Sequence, residues 1–251
     1  MKIQYCSDLH LEFEQNRKWL KDHPLKVSGD ILVLAGDIVP LHDEYLSDPF
    51  FEWISRSYRY IYWIPGNHEF YHRNINDFSA SYEIKMGKNI SVLHNKAIAV
   101  DGVLMVFSTL WSEIRPENEQ LIEQNVSDFK FISNAGRRLK SADFNYQHRE
   151  SLLFLKKTLK AHKGRVVVVT HHLPSAMCNA DEHTCSPINE AFCVDLSDFI
   201  MDCGVSFWIY GHSHFNHKPL FLGKTIMLTN QLGYVQAGEQ TGFRSDAYIV
   251  I

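Results

Sequence analysis

Short apolar or β-branched runs punctuate the chain at Lys2–Cys6, Ile31–Ala35, Tyr60–Ile64, Val103–Phe107, 165–170 and 205–210. Runs of this length and residue type predict buried strands. Between several of them the apolar period lengthens to that of a helix, over 45–58, 142–161 and 194–201, with Leu152, Leu155 and Leu159 at helical spacing in the second. Alternating strands and helices predict an α/β domain. Nearer the end, 218–222, Thr225–Thr229 and 247–251 are strand-like and separated by few residues, which predicts hairpins, mixed sheets and a two-sheet sandwich. With no fixed-period repeat, low-complexity tract or Pro/Gly/Ser linker, residues 1–251 are expected to form a single domain. The more polar stretch 111–145 fits the strand pattern poorly and reads as a solvated surface helix and loop, or else as an insertion over a site.

Composition narrows the class. Hydrophobic residues make up 45% and charged residues 22%, so disorder is excluded, and no apolar run reaches the roughly 18 residues that span a bilayer. The opening MKIQYCSDLHLEFEQ interrupts its apolar residues with Asp8, Glu12 and Glu14, unlike a secretory signal, so a cytoplasmic location is expected. Cys6, Cys178, Cys185, Cys193 and Cys203 form no CxxC pair and read as reduced thiols. A net charge of −4 without a basic run offers no footprint for specific nucleic-acid binding. The unusual figure is 14 histidines.

Their positions explain them. Five apolar strands each end in polar residues able to bind a metal: Asp8 and His10 in YCSDLH, Asp37 in VLAGD, Asn67 and His68 in WIPGNHE, His171 and His172 in VVVTHH, and His212 and His214 in WIYGHSH. Ligands of open α/β sheets bind beyond the carboxyl ends of strands, so five such endings can face one crevice. Residues two apart at an extended strand end share a side, which would make pincers of Asp8 with His10 and of His212 with His214. Gly36, Gly66 and Gly211 each precede a candidate ligand, where a missing Cβ allows a close backbone approach. Carboxylate, imidazole and amide without thiolate suit manganese, iron or zinc. The donors suffice for two ions sharing a carboxylate, an arrangement suited to in-line phosphoryl displacement and to making hydroxide available at neutral pH.

These blocks, in this order, resemble the calcineurin-like metallophosphoesterases, whose pattern runs DxH, GD, GNH followed by Glu or Asp, H and GHxH. The resemblance spans Asp8 to His214 and implies a four-layer αββα sandwich of two mixed sheets flanked by helices. It implies that Asp8, His10 and His214 bind a first metal, that Asn67, His171 and His212 bind a second, and that Asp37 bridges them. The ions would be two divalent or mixed-valence cations, manganese or iron ahead of zinc. His68 would touch the phosphate and protonate the departing alkoxide, with Asn67 assisting at the nonbridging oxygens. His172 is expected to support a ligand or to face substrate. Small relatives carry Asn-Pro-Arg-Gly-Tyr where this chain has NQLGY, with Gln231 and Leu232 in place of Pro and Arg. The substrate is expected to be a small phosphomonoester or phosphodiester, with a lean to diesters or small nucleotides.

Three other readings compete. GHSHF approximates a nucleophile elbow, which would make Ser213 the nucleophile of a serine hydrolase, although Phe215 replaces the final Gly. A non-catalytic scaffold binding a protein partner would have lost ligands, and none is missing. Cys178, Asp181, His183 and Cys185 match no structural zinc spacing and read as a rim loop.

Overall fold

The computed structural model describes residues 1–162 and 164–251. Strands β1 (Lys2–Cys6), β2 (Ile31–Ala35) and β3 (Tyr60–Ile64) run parallel, followed by an antiparallel hairpin of β4 (Tyr82–Met86) and β5 (Ile90–His94). Next come β6 (Lys96–Val100), β7 (Val103–Phe107) and a short ribbon of β8 (Ser133–Asn134) with β9 (Arg137–Arg138). Then follow β10 (Val166–Val169), β11 (Phe207–Tyr210), β12 (Leu220–Leu222), β13 (Thr225–Thr229) and β14 (Tyr248–Val250). They build two mixed six-stranded sheets, ordered β14-β1-β2-β3-β5-β4 and β12-β13-β11-β10-β7-β6. The helices are α1 (Glu14–Asp22), α2 (Asp43–Leu46), α3 (Pro49–Ser57), α4 (Glu119–Asn125), α5 (Asp128–Phe131), α6 (Ser141–Ala161) and α7 (Ser197–Cys203).

Strand alternation explains the layering. In β2, Ile31, Val33 and Ala35 join the core between the sheets, while Leu32 and Leu34 point outward to Leu20 of α1 and Phe51 and Ile54 of α3. In β10, Val167 and Val169 face the other sheet, while Val166 and Val168 meet Leu155 and Leu159 of α6 and Ile200 of α7. Each such side chain contributes about 1.5–3 kcal/mol when fully buried. A strand covered on both faces has no polar position, which is why these segments read as unbroken apolar runs. The result is the four-layer αββα sandwich.

Several elements depart from expectation. The helix over 45–58 is two helices, because Pro49 lacks an N–H and steers Asp48 out of helical geometry, where its side chain caps Phe50 N at 2.8 Å. Helix α1 is largely polar and buries only Asn16 and Leu20, so its apolar period is faint. Strand β4 lies at a sheet edge and exposes Glu83, Ile84 and Lys85, which hides it from an apolar-run criterion. Strand β14 pairs antiparallel with β1 in the first sheet instead of extending the β12–β13 hairpin. The stretch 111–145 is not a solvated surface segment. Trp111, Ile114, Ile122, Phe129, Ile132, Leu139 and Phe144 form an apolar cluster of their own with Phe70 and Tyr71.

Candidate metal centre

Strands β1, β2 and β3 of one sheet run parallel to one another, as do β10 and β11 of the other, and their carboxyl ends carry the candidate residues. The chain leaves these strands through left-handed backbone at Asp8 (φ 54°), His10 (φ 46°), Asp37 (φ 56°), His212 (φ 78°) and His214 (φ 53°). The two pincers therefore arise from tight turns, not from the extended geometry anticipated. Such conformations cost on the order of 1–3 kcal/mol each and persist where surroundings over-determine them. Here the loops are stitched together: Asp8 N donates to Gly36 O (2.9 Å), His10 N to Asp37 O (3.0 Å), Gly211 N to His171 O (3.0 Å) and Gly233 N to Asp8 O (3.0 Å).

Glycine is obligatory at two of these turns. A Cβ on Gly36 would collide with the ring of His171, and one on Gly66 would collide with Asp37 Oδ1 and His171 Nε2. Glu69, buried in the GNHE block, ties the same turns together, accepting from Asp37 N (3.0 Å), Ile38 N (2.8 Å), Gly66 N (2.6 Å) and Trp63 Nε1 (2.9 Å). Gln231, in the place of the relatives' Pro, accepts from His214 N at 2.6 Å, and Leu232 is buried in the core.

Among the described residues three groups of donors result, one of His10, Glu12 and His68 and two that share Asp37. Ligand atoms of Asp8, His10, Asp37 and His214 lie within 4.8 Å of one another, as do those of Asp37, His171 and His212. Asp37 belongs to both. Asn67 Oδ1 joins the second group, 3.2 Å from His171 Nε2. The ring orientations fit cations. His10 Nδ1 faces Glu12 Oε1 (3.1 Å) and His214 Nδ1 faces Glu239 Oε2 (2.6 Å), so the two Nε2 atoms meet at 2.9 Å. Carboxylates only accept, so neutral rings would oppose two lone pairs across that gap, which must hold a proton or a metal ion. Burial opposes protonation of His214, yet its hydrogen bonds to Asp8 and Glu239 raise its pKa to about 10, so a proton takes the place without metal. Burial likewise opposes protonation of His171, but Asp37 raises it to about 9, and its Nδ1 bond to Ala35 O (2.9 Å) turns Nε2 inward. Burial, with His172 and His171 adding to it, holds His212 neutral, and its Nε2 has no hydrogen-bond partner.

His68 is placed differently. Its backbone N–H donates to Asp37 Oδ1 (2.9 Å), its Nδ1 faces Glu12 Oε1 (2.8 Å), and its Nε2 lies 3.2 Å from the Tyr234 hydroxyl and 4.0 Å from Asp37 Oδ2. Burial works against its protonation, but Asp37, Glu12 and Asp128 outweigh this and raise its pKa. Burial also works against ionisation of Glu12, which the hydrogen bonds of His10 and His68 nonetheless hold down at about 2.

A cleft of about 350 Å³ opens over both groups and reaches His68, Tyr234, residues 125–128, and Asn179, Ser186, Asn189 and Phe192. Phe192 stacks on His212 at 4.8 Å. Asp128, from the 111–145 segment, accepts from Asn67 Nδ2 (2.8 Å) and Tyr71 OH (2.9 Å), which turns the Asn67 carbonyl oxygen toward His171. Asp128 thus engages one of the two N–H groups of the Asn67 amide, and Asn67 lines the cleft. His172 lies outside the cleft lining, buried beneath His212 (rings 4.2 Å apart) and against Trp111 and Phe144, which places it behind a candidate ligand. Ser213 Oγ accepts from Gln231 Nε2 (3.1 Å), and among the described residues no imidazole is hydrogen-bonded to it, which deprives the serine-hydrolase reading of its base. Cys178 is buried and Cys185 exposed, and among the described residues neither belongs to a group of donors close enough to hold one ion. Glu12, Glu239 and Asp128 were not among the candidates. Only Glu12 carried a sequence signal, as the next acidic residue after DLH on the same loop.

Comparison with known proteins agrees. A family model for calcineurin-like phosphoesterases matches residues 1–216. An uncharacterised protein of Acanthamoeba polyphaga mimivirus is 32% identical over 278 residues, taking in 99% of this chain and 96% of the viral one. Among solved structures, phosphopantetheinyl hydrolase from Mycobacterium tuberculosis shares the fold with a TM-score of 0.71 at 16% identity, covering 97% of this chain and 93% of its own. A dimetal phosphatase from Danio rerio follows with a TM-score of 0.51 at 16% identity, covering 92% and 87%. With its motifs intact at the ends of five strands, the chain belongs to the calcineurin-like phosphoesterases and is a metal-dependent phosphohydrolase.

Proposed function

We propose that this chain hydrolyses phosphodiesters of small molecules, with nucleotide-sized esters included. The observation that carries the reading is the pair of donor groups sharing Asp37 at the floor of one cleft. Asp8, His10 and His214 would hold one divalent ion and Asn67, His171 and His212 the other, with manganese or iron preferred to zinc. Bound there, two ions supply Lewis acidity toward a phosphoryl group and water activated at neutral pH. The chain's own part is to orient and to move a proton. Asp37 fixes the backbone of His68, Glu12 occupies its Nδ1, and Nε2 is left to face the cleft, where it can give a proton to the leaving oxygen. Both donor groups draw on both sheets, which favours one domain acting as a unit.

The lean to diesters rests on charge. Among the described residues lining the cleft there is no Lys or Arg, whereas Asp128 and Glu239 are present. A monoester dianion would lack the Arg forks that usually clamp it, whereas a singly charged diester asks less. The test uses chelator-stripped protein reconstituted with manganese, iron, zinc or magnesium. Monoesters, diesters, cyclic nucleotides and a phosphopantetheinyl ester are then compared by kcat/KM. Diesters should lead with manganese or iron; monoesters leading under every metal would refute the preference, and activity surviving chelation would refute the metal reading.

A further inference from the structure

The Glu12 carboxylate sits between two histidines that the proposed mechanism uses for different purposes. Its Oε1 lies 3.1 Å from His10 Nδ1 and 2.8 Å from His68 Nδ1, while its Oε2 is buried with no hydrogen-bond partner. The two rings stand edge to face, 4.4 Å apart. One oxygen thus accepts from a candidate metal ligand and from the candidate acid together.

We infer that Glu12 is a positioning residue that locks the His68 acid to the metal floor through a single shared carboxylate oxygen. The inference rests on the phosphoesterase reading and extends it. A carboxylate can only accept, so both rings must carry hydrogen on Nδ1, which fixes what each Nε2 can do. On His10 that atom is left as a lone pair facing His214. On His68 it is the atom beside Tyr234 that faces the cleft, where an acid has to present its proton. Because the same oxygen holds both rings, the spacing between the candidate acid and the candidate ligand His10 is set by one residue of the loop that follows β1. An ionised carboxylate oxygen accepts more strongly than the oxygen of a neutral amide, so Gln at the same place would hold the two rings less firmly. Tyr71, stacked on His68 at 4.1 Å, restrains the ring on the far side, so Glu12 decides its rotation about the remaining degree of freedom.

Nitrogen-15 spectra of histidine-labelled, metal-free protein read this bridge without turnover. The wild type is expected to show protected, downfield Nδ1 protons for both His10 and His68, E12A to lose the His68 signal, and E12Q, whose amide oxygen still accepts, to shift it upfield. In reconstituted enzyme, E12Q is expected to keep two ions and its KM but to lose about 10- to 100-fold in kcat on alkyl diesters, the usual scale for a residue orienting a working side chain. On 4-nitrophenyl diesters, whose leaving group needs no proton, it should lose little, and H68A should show the same selectivity to a greater degree. A His68 signal unaffected by both substitutions overturns the inference. So does an E12Q loss that is equal on the two ester types and parallels metal content, because Glu12 would then serve only His10. If the wild type turns over neither ester, the phosphoesterase reading fails, and the spectra still decide whether the bridge exists.

Discussion

The floor and the rim of the cleft are built by different means. On the floor, Asp8, His10, Asp37, His212 and His214 occupy left-handed turns at strand ends, held by backbone bonds between loops and closed off by glycines that admit no Cβ. On the rim, residues 125–128 and Asn179, Ser186, Asn189 and Phe192 come from a helix junction and from the segment that carries short 3-10 turns. The floor is specified by backbone geometry, so almost any change there alters several ligands at once. Apart from Asp128, which holds Asn67, and Phe192, which stacks on His212, the rim can change what is recognised without touching a candidate ligand.

The contrast is sharpest at Asp37, the residue common to both donor groups. Asp37→Asn should leave less than one equivalent of metal by elemental analysis and lower kcat by more than the 10- to 100-fold typical of removing an orienting partner. Full occupancy with ordinary turnover would mean that Asp37 is not shared. Gly66→Ala forces a methyl group into Asp37 Oδ1 and His171 Nε2, and overpacking of this kind typically costs about 1–3 kcal/mol. Its urea midpoint should fall and metal binding should weaken together; a variant with unchanged metal affinity would show that the floor yields more easily than its geometry implies.

A rim substitution should behave otherwise. Asn189 accepts a hydrogen bond from Asn179 Nδ2 at 2.6 Å, and Asn189→Ala should keep two metal equivalents while KM changes by up to about tenfold, the worth of one hydrogen bond. A fall in metal content would erase the distinction between floor and rim. The smallest effect is in protons. His171 and His214, with pKa values near 9 and 10, are charged at pH 7.5 in the metal-free protein and must be neutral to ligate. Calorimetry in buffers of different ionisation enthalpy should therefore show about two protons released as both ions bind. The signs follow: both values are raised above the unfolded value near 6.5, so their stabilisation of metal-free protein is complete below that pH and lost as pH rises through 9 to 10. Metal affinity should increase over the same range.

What the sequence makes legible tracks the same division. The floor could be read because strand, turn and ligand are adjacent along the chain, so an apolar run followed at once by Asp, Asn or His carries both position and chemistry. The sheets followed from runs such as ILVLA, which are apolar at every position because both faces are covered. The rim and the supporting groups could not be read, since Asp128 meets Asn67 across 61 residues and Glu239 meets His214 across 25, with no local pattern to announce either. His172 shows the limit from the other side: adjacency to His171 leaves open whether it supports a ligand or faces substrate, and only the fold places it behind His212 and against Trp111. The polar stretch 111–145 misled because its buried residues are spread among charges and pack on one another, not on a sheet.

The meeting of His10 and His214 also bears on what holds the centre together. These rings touch across 204 residues and on opposite sheets, so neither sheet alone carries the whole donor group. The donor group is therefore complete only where the two sheets have packed against each other, and whatever loosens that packing loosens it too.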